Sequence, residues 1–119
     1  MHLLVIEDNF IISLSIRVAL SELGFDTIFC ARSEREAIES AHSFPPDFIT
    51  CDVELDPGSG LDAIAAITAE RWTRVLFVTS SGDAVHKRYP TATVIDKPFI
   101  GDELAEIVKN RMTCKCVHF

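Results

Sequence analysis

Residues 47–62 read DFITCDVELDPGSGLD. The run Asp47–Cys51 (DFITC) is short and apolar, the signature of a buried strand. Asp52 stands at its end. Asp56–Gly60 (DPGSG) is dense in turn-forming residues. Leu61–Glu70 then reads as a helix burying Leu61, Ile64 and Ala65. A buried strand, a carboxylate, a tight loop and a helix form one unit, and the same unit recurs on both sides of it.

Upstream, His2–Ile6 is a strand followed by the acidic pair Glu7-Asp8. Asn9–Leu23 places Ile12, Ile16, Ala19, Leu20 and Leu23 at helical spacing, with Gly24 as the stop. Asp26–Cys30 is strand-like. Ser33 and Glu36 make a capping box for a second helix that must stop before Pro45-Pro46. Downstream, Arg74–Val78 is a fourth strand and Ser80–Tyr89 has room for a short helix at best. Ala92–Ile95 is a fifth strand, and Gly101–Met112 a closing helix burying Leu104, Ile107 and Val108. Five short strands alternating with helices predict an α/β fold with a parallel sheet covered on both faces. Right-handed crossovers then favour a doubly wound, flavodoxin-like sheet of order 2-1-3-4-5.

The chain has 119 residues, room for one domain, with residues 113–119 reading as a flexible tail. Eighteen acids against eleven bases give a net charge of −7, which disfavours phosphate backbones as partners and suits a cation. No apolar run is long enough for a membrane span, and the N-terminus lacks the basic region of a secretory signal. Cys30, Cys51, Cys114 and Cys116 form no zinc quartet. Cys30 and Cys51 end apolar runs and read as reduced, buried thiols, consistent with a cytoplasmic setting.

In a parallel sheet all strands point one way, so the residues after them gather at one edge, where ligands bind. Those residues are Glu7-Asp8, then Asp52 with Glu54 and Asp56 behind it, then Thr79-Ser80-Ser81, then Asp96-Lys97-Pro98. Taken singly each has an ordinary explanation: Asp8 caps a helix, Lys97 is a surface lysine. Together they bring repelling carboxylates to one place, at about 4 kcal/mol for two charges near 4 Å at an effective dielectric of 20. A hard divalent cation such as Mg²⁺, with Lys97 as a second positive charge, offsets that repulsion. The set suits a phosphoryl group held on a carboxylate.

The segments LLVIEDN, FITCDVELDPGSGLD, LFVTSS and VIDKPF, in this order and spacing, resemble the response-regulator receiver domain of bacterial two-component signalling. The resemblance covers essentially the whole chain and implies a stand-alone phospho-acceptor. Asp52 would take a phosphoryl group from a phosphohistidine on a sensor histidine kinase or histidine phosphotransfer protein. Asp8, Asp52 and the backbone carbonyl of Glu54 would ligate Mg²⁺, and Glu7 would act through a metal-bound water. Thr79 and Lys97 would hold the phosphoryl oxygens, and Lys97-Pro98 would be a cis peptide. Output would be the binding of a downstream protein or the draining of phosphate from a shared kinase.

Two departures stand out. The family's usual aromatic residue, three positions before the lysine, is here Val94, with one stiff torsion and no ring to swing. The stretch from Thr79 to Lys97 is also short by about one helical turn.

Other features have simpler readings. The terminal CVHF formally matches a prenylation box, but its third-position His and the bacterial type of domain argue against one. Cys114, Cys116 and His118 read as polar tail rather than a metal site. Gly58-Ser-Gly60 lacks the Gly-Lys-Ser/Thr of a phosphate loop. His42 and His86 read as surface residues and Trp72 as partly packed. Phe10, Ile11, Leu14 and Val18 lie off the buried stripe of the first helix and read as a docking patch, which the resemblance assigns to the kinase's helical hairpin. Two other functions remain to be weighed. One is an aspartate-nucleophile phosphatase, faintly suggested by Asp52-Val53-Glu54; the other is a degenerate receiver acting only as a binding module.

Overall fold

The computed structural model describes residues 1–113; the readings for Cys114, Cys116, His118 and the CVHF terminus lie outside them. The elements alternate as β1 (His2–Ile6), α1 (Phe10–Leu20), β2 (Thr27–Ala31), α2 (Glu34–Ser43), β3 (Phe48–Cys51), α3 (Gly60–Glu70), β4 (Arg74–Thr79), α4 (Gly82–Arg88), β5 (Val94–Asp96) and α5 (Gly101–Thr113). The strands form one parallel sheet of order β2-β1-β3-β4-β5. This is the expected doubly wound architecture.

Strand periodicity divides the core in two. Leu4, Ile6, Ile49, Cys51, Val75 and Phe77 face α2, α3 and α4. Leu3, Val5, Phe48, Leu76 and Val78 face α1 and α5, packing on Ile16, Leu20, Leu104 and Val108. Because β1, β3 and β4 are buried on both faces, their sequences are continuous apolar runs.

Several expectations need correction. α1 ends at Leu20, three residues early, and a turn through Leu23 leads to Gly24 at φ +93°. β2 is Thr27–Ala31, one residue later than expected, because its register is set by β1, with Ile6 opposite Ala31. Cys30 is exposed, not buried: β2 is an edge strand that the helices cover only in part. β5 begins at Val94, since Ala92 is held in a turn by its N–H to the Tyr89 carbonyl. The buried face of α3 is Ala63, Ile64 and Ile67, leaving Leu61 and Ala65 half-buried. Ile107 is half-buried, its place in the core taken by Leu104 and Val108. α4 has seven residues, the short helix that the spacing required. Trp72 is exposed, with the Arg74 guanidinium 5.0 Å from its ring centre.

Candidate phospho-acceptor site

The parallel ladders run one residue past each strand and so anchor the site. Glu7 N–H donates to the Ala31 carbonyl (2.9 Å), Asp52 N–H to Ile6 (3.0 Å) and Lys97 N–H to Thr79 (3.2 Å). One carboxylate oxygen from each of Glu7, Asp8 and Asp52 lies within 4.8 Å of the others. Lys97 Nζ donates to Glu7 Oε1 at 2.5 Å and to Asp52 Oδ2 at 2.8 Å. Asp52 Oδ1 accepts the Val53 N–H at 2.7 Å. Glu7 and Asp8 after β1, Asp52 after β3 and Lys97 after β5 are therefore brought together, while Glu54, Asp56 and Asp96 are not part of the group. Asp8 does not cap α1: Asn9 does, accepting the Ile12 N–H at 3.0 Å. The ordinary explanation for Asp8 is thereby removed.

Burial pushes the Glu7 carboxyl above its ordinary value, and the Lys97 ammonium and Asn9 amide pull it only part of the way back. For Lys97, burial alone would lower the pKa. Its hydrogen bonds to Asp52 and Glu7 outweigh that and hold it above 10.5. Cys51, fully buried beside the site, has its thiol pushed well up by desolvation, then by the Asp52 and Glu7 charges, and is inert as a nucleophile.

Thr79 is buried at the end of β4, and its Oγ1 accepts the Ser81 N–H at 3.1 Å. Glu54 is exposed and its carboxylate accepts a hydrogen bond from Ser81 Oγ, joining the loops after β3 and β4. Ser81 occupies the N-cap position of α4 without making a cap bond. Asp56 remains exposed and outside the carboxylate group. Both Lys97-Pro98 and Asp56-Pro57 are cis, the second unanticipated.

Gly60 is a site residue that sequence reading missed. A Cβ there would lie 1.7 Å from the Asp52 carbonyl oxygen, so only glycine lets α3 start against Asp52. Its spacing from Asp52, at the mouth of a helix, was the available signal.

Val94 is half-buried, and a Cβ on Gly82 would meet its Cγ1 at 3.4 Å. The valine thus packs beneath the start of α4. Phe10, Ile11, Leu14 and Val18 are all exposed on α1. Beside them a cleft of about 570 Å³ opens at Lys97 between Ile12 and Phe99. It shares Ser15 and Gly101 with a second of about 660 Å³ lined by Leu14 and Val18.

An acidic cluster gripped by one lysine, at the strand ends of a 2-1-3-4-5 sheet, defines a class, and the chain falls within it. It matches the response regulator receiver domain over residues 3–109 and belongs to that family. It is 29% identical over 115 residues to the phyllosphere-induced regulator PhyR of Methylorubrum extorquens, covering 93% of this chain and 43% of that protein. Over 80 residues it is 30% identical to a protein-glutamate methylesterase/protein-glutamine glutaminase of Archaeoglobus fulgidus, covering 67% of this chain and 23% of that one. The chain thus spans less than half of either relative. The solution structure of the Erythrobacter litoralis PhyR receiver domain superposes with a TM-score of 0.87 at 22% identity, covering 99% of this chain and 94% of that one. At that identity the likeness concerns the fold.

Proposed function

We propose that this receiver accepts a phosphoryl group on Asp52 from a phosphohistidine of a sensor histidine kinase or histidine phosphotransfer protein. The step is Mg²⁺-dependent, and the phosphorylated chain then binds a downstream protein or drains phosphate from a shared kinase. The observation that carries this reading is the convergence of Glu7, Asp8 and Asp52 on one point, with Lys97 2.8 Å from Asp52.

The donor set is all oxygen and anionic, which fits Mg²⁺. Asp8, Asp52 and the Glu54 carbonyl would hold the ion, with Glu7 acting through water. When bound, Mg²⁺ supplies charge neutralisation for the phosphoryl oxygens. An Asp52 carboxylate oxygen forms the new P–O bond as the P–N bond to imidazole breaks, and the imidazole leaves with the bonding pair. Lys97 and the Thr79 hydroxyl steady the charge on the transferred group, so the chain contributes positioning and electrostatics.

Acetyl phosphate with Mg²⁺, read by intact mass, tests this. One lasting phosphoryl addition, lost when the metal is chelated beforehand, is the expected result. Continuous release of phosphate would instead favour the phosphatase reading, and no addition the binding-module reading.

The same reading makes Phe10, Ile11, Leu14 and Val18 the surface on which the phosphohistidine donor docks, continuous with the cleft at Lys97. Burial of such a patch contributes about 25 cal/mol per Å², less the cost of association. Leu14→Glu should slow transfer from the cognate kinase by about tenfold, roughly 1.4 kcal/mol. Acetyl phosphate should still react at the wild-type rate, because that small donor needs only the pocket. Equal slowing of both donors, or of neither, contradicts the docking role.

A further inference from the structure

The loop behind Asp52 is held by a residue from a helix that the site does not otherwise use. Val53–Gly60 folds back as a short hairpin. Glu54 and Ser59 form an isolated antiparallel bridge. The Gly60 N–H donates to the Val53 carbonyl at 2.7 Å and the Leu55 N–H to the Gly58 carbonyl at 3.3 Å. These two bonds flank the Glu54–Ser59 pair, which is therefore a non-hydrogen-bonded pair whose own N–H and C=O groups point away from the hairpin.

On the Ser59 side, that outward N–H donates to Glu34 Oε1 at 2.9 Å. Glu34 is the first residue of α2, and its own N–H donates to the Pro57 carbonyl at 3.4 Å. The packing there is close. Gly58 has φ +104°, and a Cβ on it would come within 2.5 Å of Glu34 Cβ. On the other edge of the hairpin, the outward carbonyl is that of Glu54.

We propose that Glu34 is a positioning residue for the cation site. By holding Ser59 it fixes the hairpin, and through the hairpin it sets the direction of the Glu54 carbonyl. This rests on the reading of the Asp52 pocket as a Mg²⁺-dependent acceptor. Glu34 itself touches neither the cation nor the phosphoryl group. Its role needs an acceptor oxygen at Oε1 rather than a negative charge, so glutamine substitutes for it and alanine does not.

The test is titration of the unphosphorylated chain with Mg²⁺ alone, followed by amide chemical shifts, with urea unfolding run on every variant. Glu34→Ala should weaken Mg²⁺ binding by about tenfold, the scale typical of residues supporting a metal ligand. Glu34→Gln should bind within about twofold of wild type, retaining the Ser59 acceptor. A purely structural role would lower the urea midpoint and leave the affinity of the folded protein unchanged, which overturns the proposal. So does a Gln variant as weak as the Ala variant, since charge would then be the cause. Should Glu34→Ala fail to fold, Gly58→Ala decides: it pushes the same contact from the other side, and wild-type affinity there also overturns the proposal. If wild type itself shows no saturable Mg²⁺ binding, the reading of the pocket fails first, and this inference with it.

Discussion

The two edges of the sheet carry the same kinds of charge and use them differently. At the N-terminal edge the groups pair one to one, each pair at least partly open to water: the Met1 ammonium with Asp26 at 2.7 Å, Arg71 with Asp47 at 3.4 Å, and His42 near Glu70 at 3.7 Å. At the C-terminal edge Glu7 and Asp52 share the ammonium of Lys97, and the Asp8 carboxylate lies beside them. There the Glu7 side chain is 1% exposed and that of Lys97 14%, against 78% and 72% for His42 and Glu70. Exposed pairs contribute about 0–1 kcal/mol, so the N-terminal edge could be rearranged at little cost. The site edge keeps three carboxylates with one ammonium, formally two negative charges in excess, where water screens them poorly. Stability alone does not call for that arrangement. It suits the cation proposed above.

The largest effect expected from this contrast is at Lys97. Lys97→Ala leaves Glu7 and Asp52 without their cation, and removing one partner of a buried pair should cost about 3–5 kcal/mol. Adding Mg²⁺ should restore more stability to this variant than to wild type, as measured by urea unfolding with and without the metal. A loss too small to measure, or no response to Mg²⁺, breaks the contrast.

A smaller effect is expected in the pH dependence of Glu7. Its carboxyl is held above 4.5 in the folded chain by burial, so the folded state binds that proton more tightly than the unfolded one. The stability from this group is present in full below 4.5 and is lost as pH rises through the raised value. Glu7→Gln cannot titrate, so wild type should lose stability relative to it as the pH is raised from 4.5. A constant difference between the two would show that Glu7 is not shifted.

The smallest effect is at the opposite edge. Arg71→Ala should change stability by no more than about 0.5 kcal/mol and leave Mg²⁺ affinity unaltered. A larger loss would erase the distinction between the edges.

The same contrast explains what could be read from the residues alone. β1, β3 and β4 are mainly apolar because both their faces are covered, and the polar residues that follow or close them mark the site edge sharply. Glu7, Asp8, Asp52 and Thr79 were legible for that reason, and Lys97 from its place in the VIDKPF segment. The edge strands β2 and β5 have one neighbour each, so apolarity does not mark their ends. Their limits follow from register and from the Tyr89–Ala92 turn, and Cys30 was misplaced accordingly. Contacts made by loops with distant segments were the least legible. Glu54 with Ser81 and Glu34 with Ser59 join positions 27 and 25 residues apart, and in each pair at least one partner lies in a loop without periodicity. The Gly60 contact left only a spacing as its trace.

The central claim is that Asp52 is the acceptor, and the most direct measurement locates the phosphoryl group. Wild type and Asp52→Asn are treated with acetyl phosphate and Mg²⁺, and intact mass is followed by borohydride trapping of the acyl phosphate and peptide mapping. The account predicts one phosphoryl addition in wild type, trapped at position 52, and none in a folded Asp52→Asn. A variant that gains phosphate at the wild-type rate, or a trapped residue elsewhere in the chain, would contradict it.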